Sequence, residues 1–157
     1  MKSGAAREHL VETWESCVRA AIWLKRSYEH SPQPPFTAAS DDEWDQLEAL
    51  SGRFARVTDL IVHKLFRALD RYELEETGTL LDSANRAAKR GLIASPDVLR
   101  EFKDIRNEIV HEYAVEDLAG LYADIHTITP GLLSLISTIE SYLSARQLIE
   151  KSNQWET

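Results

Sequence analysis

The sequence predicts an all-α protein, an up-and-down bundle of four to five helices. Two observations predict the helices. Apolar residues recur at three- and four-residue spacing through most of the chain, and no stretch alternates as a half-buried strand would. A third observation predicts the bundle: the connections between the long amphipathic stretches are short, which suits neighbours that fold back on one another.

The first helix is expected from about Ala6 to Tyr28, with Leu10, Trp14, Cys17, Val18, Ala21 and Leu24 as its buried stripe. SPQPPF breaks it, because proline removes backbone donors and fixes φ. Ser40 opens the second helix: S-D-D-E is a capping box, and Asp41 and Asp42 favour the positive end of the helix dipole. That helix is expected to run to about Tyr72 along a drifting stripe of Leu47, Leu50, Phe54, Val57, Ile61, Leu65 and Leu69. Gly52 within it marks either a bend, a close helix contact or a tolerated glycine.

After ELEETG a shorter helix is expected from Thr79 to Arg90, closed by Gly91 as a left-handed cap. Ser95 and Pro96 then start a fourth helix, where the missing proline N–H costs nothing. Its core stripe is Val98, Phe102, Ile105 and Ile109, with Val110 also expected inside. The last helix starts between Val115 and Asp117 and runs toward Ile149, with Pro130 expected to kink or split it. Residues 1–150 read as one domain and 151–157 as a frayed tail.

At 43% hydrophobic and 28% charged, the 157 residues can build a true core. No apolar run approaches the roughly 20 residues of a membrane helix, and the N-terminal stretch lacks a signal-peptide core. A lone cysteine, Cys17, rules out an internal disulfide and fits a cytoplasmic setting. No Gly-rich phosphate loop and no histidine–acid spacing of a metal site is present, so neither cofactor nor metal is expected.

The net charge of −8 opposes indiscriminate nucleic-acid binding, yet it is unevenly placed. Arg53, Arg56, Lys64, Arg67 and Arg71 outnumber Asp59 and Asp70, and a second basic run spans Arg86, Lys89, Arg90, Arg100, Lys103 and Arg106. Arg53, Arg56, Arg86 and Lys89 are the candidates for guiding a polyanion; solvated helix faces are the plainer reading.

RNEIVHEY, residues 106–113, carries the chemistry on the fourth helix. An arginine fork binds phosphate oxygens with paired charge-assisted bonds, an imidazole transfers protons near neutral pH, and asparagine or tyrosine orients hydroxyls. Five residues separate Arg106 from His111, about 140° on a straight helix. One small ligand therefore meets both only if the helix ends near His111 or if two copies of the chain line one cleft.

IRNEIVHEY resembles the signature of the HEPN superfamily, in particular the HepT-like toxins, with Arg106, Asn107, His111 and Tyr113 at the motif positions. The resemblance covers about residues 40–145; the first helix and SPQPPF are less typical. It implies a helical-bundle homodimer whose two motifs share a cleft, and metal-independent endoribonuclease action on RNA. It implies Arg106 and His111 as the catalytic pair, supported by Asn107. It also implies an antitoxin of the minimal nucleotidyltransferase type, MntA-like, that transfers AMP onto Tyr113. Two rival readings stand beside it. One is a non-catalytic substrate-binding partner subunit of a small nucleotidyltransferase. The other is an adaptor bundle presenting Trp14, Trp23 and Trp44 to a partner.

Overall fold

The computed structural model describes residues 3–76, 78–111, 117–152 and 154–155, and among them the fold is entirely helical. Helix α1, Gly4–His30, starts at Ser3, whose side chain accepts from the Ala6 amide. It buries Leu10, Trp14, Cys17, Ala21 and Leu24, while Val18 is only half-buried. Burial pushes the Cys17 thiol up to about 12, so it stays protonated and packs as a small hydrophobe.

Helix α2, Asp41–Asp59, opens with the capping box of Ser40 and Glu43. It continues without interruption through a π-helical segment, Leu60–Leu65, into α3, Phe66–Tyr72. The π turn explains the drifting apolar stripe. Ile61, Leu65 and Leu69 follow one another at four-residue steps, which would rotate off the core face of a regular α-helix. The wider turn, where the Phe66 amide reaches the Ile61 carbonyl, takes up the extra arc and keeps all three buried. Gly52 is exposed, and a side chain there would meet nothing. It is a tolerated glycine.

Helix α4, Leu80–Lys89, carries a second capping box, Thr79 with Asp82. Gly91 sits at φ +78, the left-handed conformation that closes a helix. Helix α5, Pro96–His111, packs Leu99 and Phe102 into the core and rests Val98, Ile105 and Ile109 against it. Val110 corrects the expectation: it is 44% exposed, because its position falls about 120° from Val98, off the stripe. Leu99, outside the expected stripe, is buried because α4 packs beside α5.

Helix α6, Leu118–Ala145, runs unbroken through Pro130. The proline does not split it: the helix is held on both sides of Pro130 by Ile125, Leu132, Leu135 and Ile136 in the core. Described residues of the C-terminal stretch are held to the bundle. Ser152 donates to Glu140 at 2.8 Å, Lys25 donates to the Gln154 carbonyl at 3.0 Å, and Trp155 is buried against the bundle. Burying the indole anchors a segment whose composition alone reads as frayed.

α1 packs on α2, the π segment, α3 and α6; α2 packs on α5 and α6; α5 bridges α4 and α6. No helix among the described residues is long and apolar enough to cross a membrane. Trp14 is core, and Trp44 fills the corner between Phe36 and Tyr122, at ring separations of 6.3 and 5.8 Å. Only Trp23 of the three stands half-exposed, its ring covered by the guanidinium groups of Arg26 and Arg53.

Candidate functional site on helix α5

Phe102 seats α5 on α2, its ring edge-on to Phe54 at 6.3 Å. One turn later that seating brings Arg106 over Asp59. Nε donates to Oδ1 at 2.8 Å and Nη2 donates to Oδ2 at 3.0 Å, a bidentate pair. Nη1 is left at the free corner of the fork, donating only to the Asn107 Oδ1 at 3.4 Å. The Arg106 side chain is 26% exposed, so it is held in place but still open to solvent on one side.

Arg106 and Asn107 therefore meet, and His111 does not join them within one chain. α5 is regular through His111, which keeps the angular separation from Arg106 near 140°. His111 is exposed at the end of the helix. Tyr113 lies outside the described residues. Arg106 looks toward α2 and His111 toward solvent, so a single chain does not converge both groups on one small anion.

The four cations expected to guide a polyanion do not form one surface. The Arg53 guanidinium is turned onto α1, donating to the Ser27 hydroxyl and stacking on Trp23. Arg86 is bound by buried Asp70 at 3.2 Å and by Glu75 at 3.8 Å. Asp70 is seventeen residues beyond Arg53 along one continuous rod, about 25 Å. Arg53 and Arg86 thus belong to two separate structural anchorages, and their charges are already engaged. Arg56 and Lys89 remain exposed.

Two residues that the motif does not contain complete the site. Asp59 orients Arg106. His63, in the π segment, is exposed and sits in the joint field of Asp59, Lys103, Arg106 and Arg67. Partial burial is the largest cause that lowers its pKa; Asp59 opposes it, and Lys103, Arg106 and Arg67 lower it further. A sequence signal existed for both. Asp59, His63 and Arg67 recur every four residues, and Lys103 and Asn107 share that spacing on α5. Asp59 and Arg106 meet across the seam between the two helices.

Beside the seam runs a groove of about 380 Å³, floored by Val62, Leu80, Ala84 and Leu99 and rimmed by Arg100, Lys103, Asp104 and Asn107. A second groove, of about 620 Å³, lies between α5 and α6 over Phe102, Ile105, Ile128 and Gly131. Among the described residues no three His, Cys, Asp or Glu side chains gather as metal ligands do. No family model matches the chain, and neither a curated protein nor a solved structure matches it.

Proposed function

We propose that the protein is a metal-independent endoribonuclease toxin of the HEPN, HepT-like kind, acting as a homodimer in the cytoplasm. The observation that carries the reading is the motif on α5: Arg106 clamped by Asp59 with its Nη1 corner free, Asn107 against it, and His111 exposed five residues on. Pairing two chains across this helix would supply the convergence that one chain lacks, with Arg106 of one copy and His111 of the other facing one phosphodiester. The 2′-hydroxyl would attack the adjacent phosphorus as the P–O5′ bond breaks, leaving a 2′,3′-cyclic phosphate on one fragment and a 5′-hydroxyl on the other; His111 would move the proton from the 2′-oxygen or onto the leaving 5′-oxygen, and Arg106 would stabilise the charge developing on the phosphate oxygens.

An MntA-like nucleotidyltransferase would neutralise the toxin by transferring AMP from ATP to the Tyr113 hydroxyl, with release of pyrophosphate, adding bulk and negative charge two residues from His111. The test is cleavage of RNA by purified protein in the presence of a chelator. Wild type cuts, and His111→Ala loses about 10²- to 10⁴-fold in rate, the range for an acid–base group. Equal cleavage by both proteins removes His111 from the chemistry. Co-expression with a nucleotidyltransferase of that type, followed by mass spectrometry, reads AMP on Tyr113.

The substrate-binding alternative draws on one observation, the occupied fork of Arg106. A guanidinium already neutralised by Asp59 suits recognition of a partner's ligand as well as turnover. Binding of RNA by wild type without any cleavage would favour it.

A further inference from the structure

The stretch after α6 has no role in the reading so far. Gln147, at φ +59, turns the chain back at the end of the helix, and its carbonyl accepts from Arg7 at 3.3 Å. Farther on, the Gln154 carbonyl accepts from Lys25 at 3.0 Å. Between those two anchors the chain runs lengthwise along α1, as a strap. Beneath it lies a cavity of about 440 Å³. Val11, Trp14 and Val18, on one face of α1, form one wall, and Leu148 and Ile149 of the strap form the other. From α6 the cavity takes Glu140.

Glu140 is 3% exposed. Among the described residues its Oε2 accepts from the Ser152 hydroxyl at 2.8 Å, its Oε1 accepts from none, and no lysine, arginine or histidine pairs with it. Oε1 is not sealed inside the protein, and since Glu140 lines the cavity, that oxygen opens on it. A carboxylate taken out of water with one neutral donor lacks a counter-charge. The walls do not supply it. Glu15 and Glu150 add two more carboxylates, and Arg19, the one cation among the described lining residues, donates to Ser16 on its own helix at 3.2 Å. The apolar walls suit a hydrocarbon body, and Trp14 adds an indole, the ring that attracts cations best. An ammonium head brings three donors to the open carboxylate oxygen and the Ser152 hydroxyl. A divalent metal ion is the poorer match, because it needs about six oxygen ligands and no three acids gather among the described residues.

We infer that the cavity beneath the strap binds a primary alkylammonium ion, its head on Glu140 and Ser152 and its carbon chain between α1 and the strap. The site shares no residue with Arg106 and its neighbours, so it stands whether or not the protein cuts RNA.

The probe is n-hexylammonium, with 1-hexanol as its uncharged counterpart, titrated into the full chain by calorimetry. Wild type should bind n-hexylammonium with a dissociation constant of about a millimolar or tighter, the scale open to a ligand of so few atoms. It should bind 1-hexanol about 10-fold more weakly. Glu140→Gln keeps the size and an acceptor for Ser152 and removes the charge; it should lose about 10-fold in n-hexylammonium affinity and none for 1-hexanol. Glu150→Lys, at an exposed position that spares the fold, should also weaken the cation, by bringing a like charge to the rim. Added n-hexylammonium should raise the Tm of wild type and leave that of Glu140→Gln unmoved. Nα-acetyl-lysine methylamide separates the two sources of such a head: tighter binding than n-hexylammonium assigns it to a lysine of a partner protein, weaker binding to a free amine. Equal binding of n-hexylammonium and 1-hexanol overturns the site. So does unchanged n-hexylammonium affinity in either variant, or no binding by wild type at about 10 mM.

Discussion

Arg106 is gripped by Asp59 through two parallel hydrogen bonds, 2.8 and 3.0 Å, across the seam between α5 and the end of α2. With side chains 26% and 38% exposed, the pair lies in a solvent-screened setting, where ion pairs contribute under about 1 kcal/mol to stability. Its role is orientation. Asp59→Asn should leave the fold intact and separate binding from turnover. Removing the carboxylate takes away a charge that repels phosphate, so oligonucleotide affinity should rise. Loosening the fork should lower kcat by roughly 10- to 100-fold, the penalty for misplacing a catalytic group by about an ångström. Steady-state kinetics reads the split; an unchanged kcat would mean that Asp59 has no orienting role.

The 140° between Arg106 and His111 makes a prediction about assembly. If each cleft takes its arginine from one copy and its histidine from the other, Arg106→Ala and His111→Ala should complement. Each is inactive alone. After unfolding and refolding together in equal amounts, about half the dimers are mixed and each has one intact cleft of two, so about a quarter of wild-type activity returns. Cleavage assays across mixing ratios check this. No recovery in a mixture shown to contain mixed dimers would place both groups in one chain and contradict the shared cleft.

The helices were legible because their signals are local. Ser40 with Glu43, Gly91 and Pro96 each mark a terminus through one or two side chains, and those positions hold. The drifting stripe of α2 pointed to an irregularity without naming it, since a π turn is chosen by what packs against it. Trp155 was unreadable for the same reason: its burial depends on a surface assembled from distant segments, not on neighbouring residues. At the site, Arg106, Asn107 and His111 were visible as a motif, whereas Asp59 is forty-seven residues from Arg106 and becomes its partner only through the packing of Phe102 on Phe54. Counting charges along the chain does not reveal that the Arg53 guanidinium donates to the Ser27 hydroxyl or that Arg86 pairs with Asp70.

Asp70 should prove the most stability-critical acid. Its side chain is 3% exposed and accepts from Ser83 at 3.1 Å, Arg86 at 3.2 Å and Arg90 at 2.7 Å. Arg90 passes its other edge to Glu73 at 2.9 Å, and Glu73 receives the Tyr142 hydroxyl at 2.5 Å. The network thereby ties α3, α4 and α6 together. Asp70→Ala leaves a nearly buried guanidinium, Arg90 at 8% exposure, without its main partner. The expected cost is about 3–5 kcal/mol, the range for breaking a buried pair from one side. Urea unfolding measures it. A loss below about 1 kcal/mol would mean that Glu73 alone satisfies Arg90.

Stability should depend on pH through a buried imidazole. His126 is buried on α6 against Tyr28, at a ring separation of 4.8 Å, and its Nε2 has no partner. Burial therefore lowers its pKa below the ordinary 6.5. Between that lowered value and 6.5 the unfolded chain binds the proton and the native protein does not, so stability rises with pH through this window. Its contribution is fully present above pH 6.5 and is lost as pH falls through the native pKa. His63 shifts in the same direction and adds to the same limb. Glu73 also contributes stability that is lost on acidification, but its native pKa lies below the ordinary 4.5. Burial alone would raise Glu73; the Tyr142 hydroxyl and Arg90 outweigh it. That separates the windows. His126→Phe keeps an aromatic ring against Tyr28 and removes the proton site. Its Tm should fall less than that of wild type between pH 7 and 5, and the two should converge in slope below about pH 4, where carboxylates dominate. Parallel Tm curves from pH 7 to 5 would show that His126 gains a proton in the native state as readily as in the unfolded one.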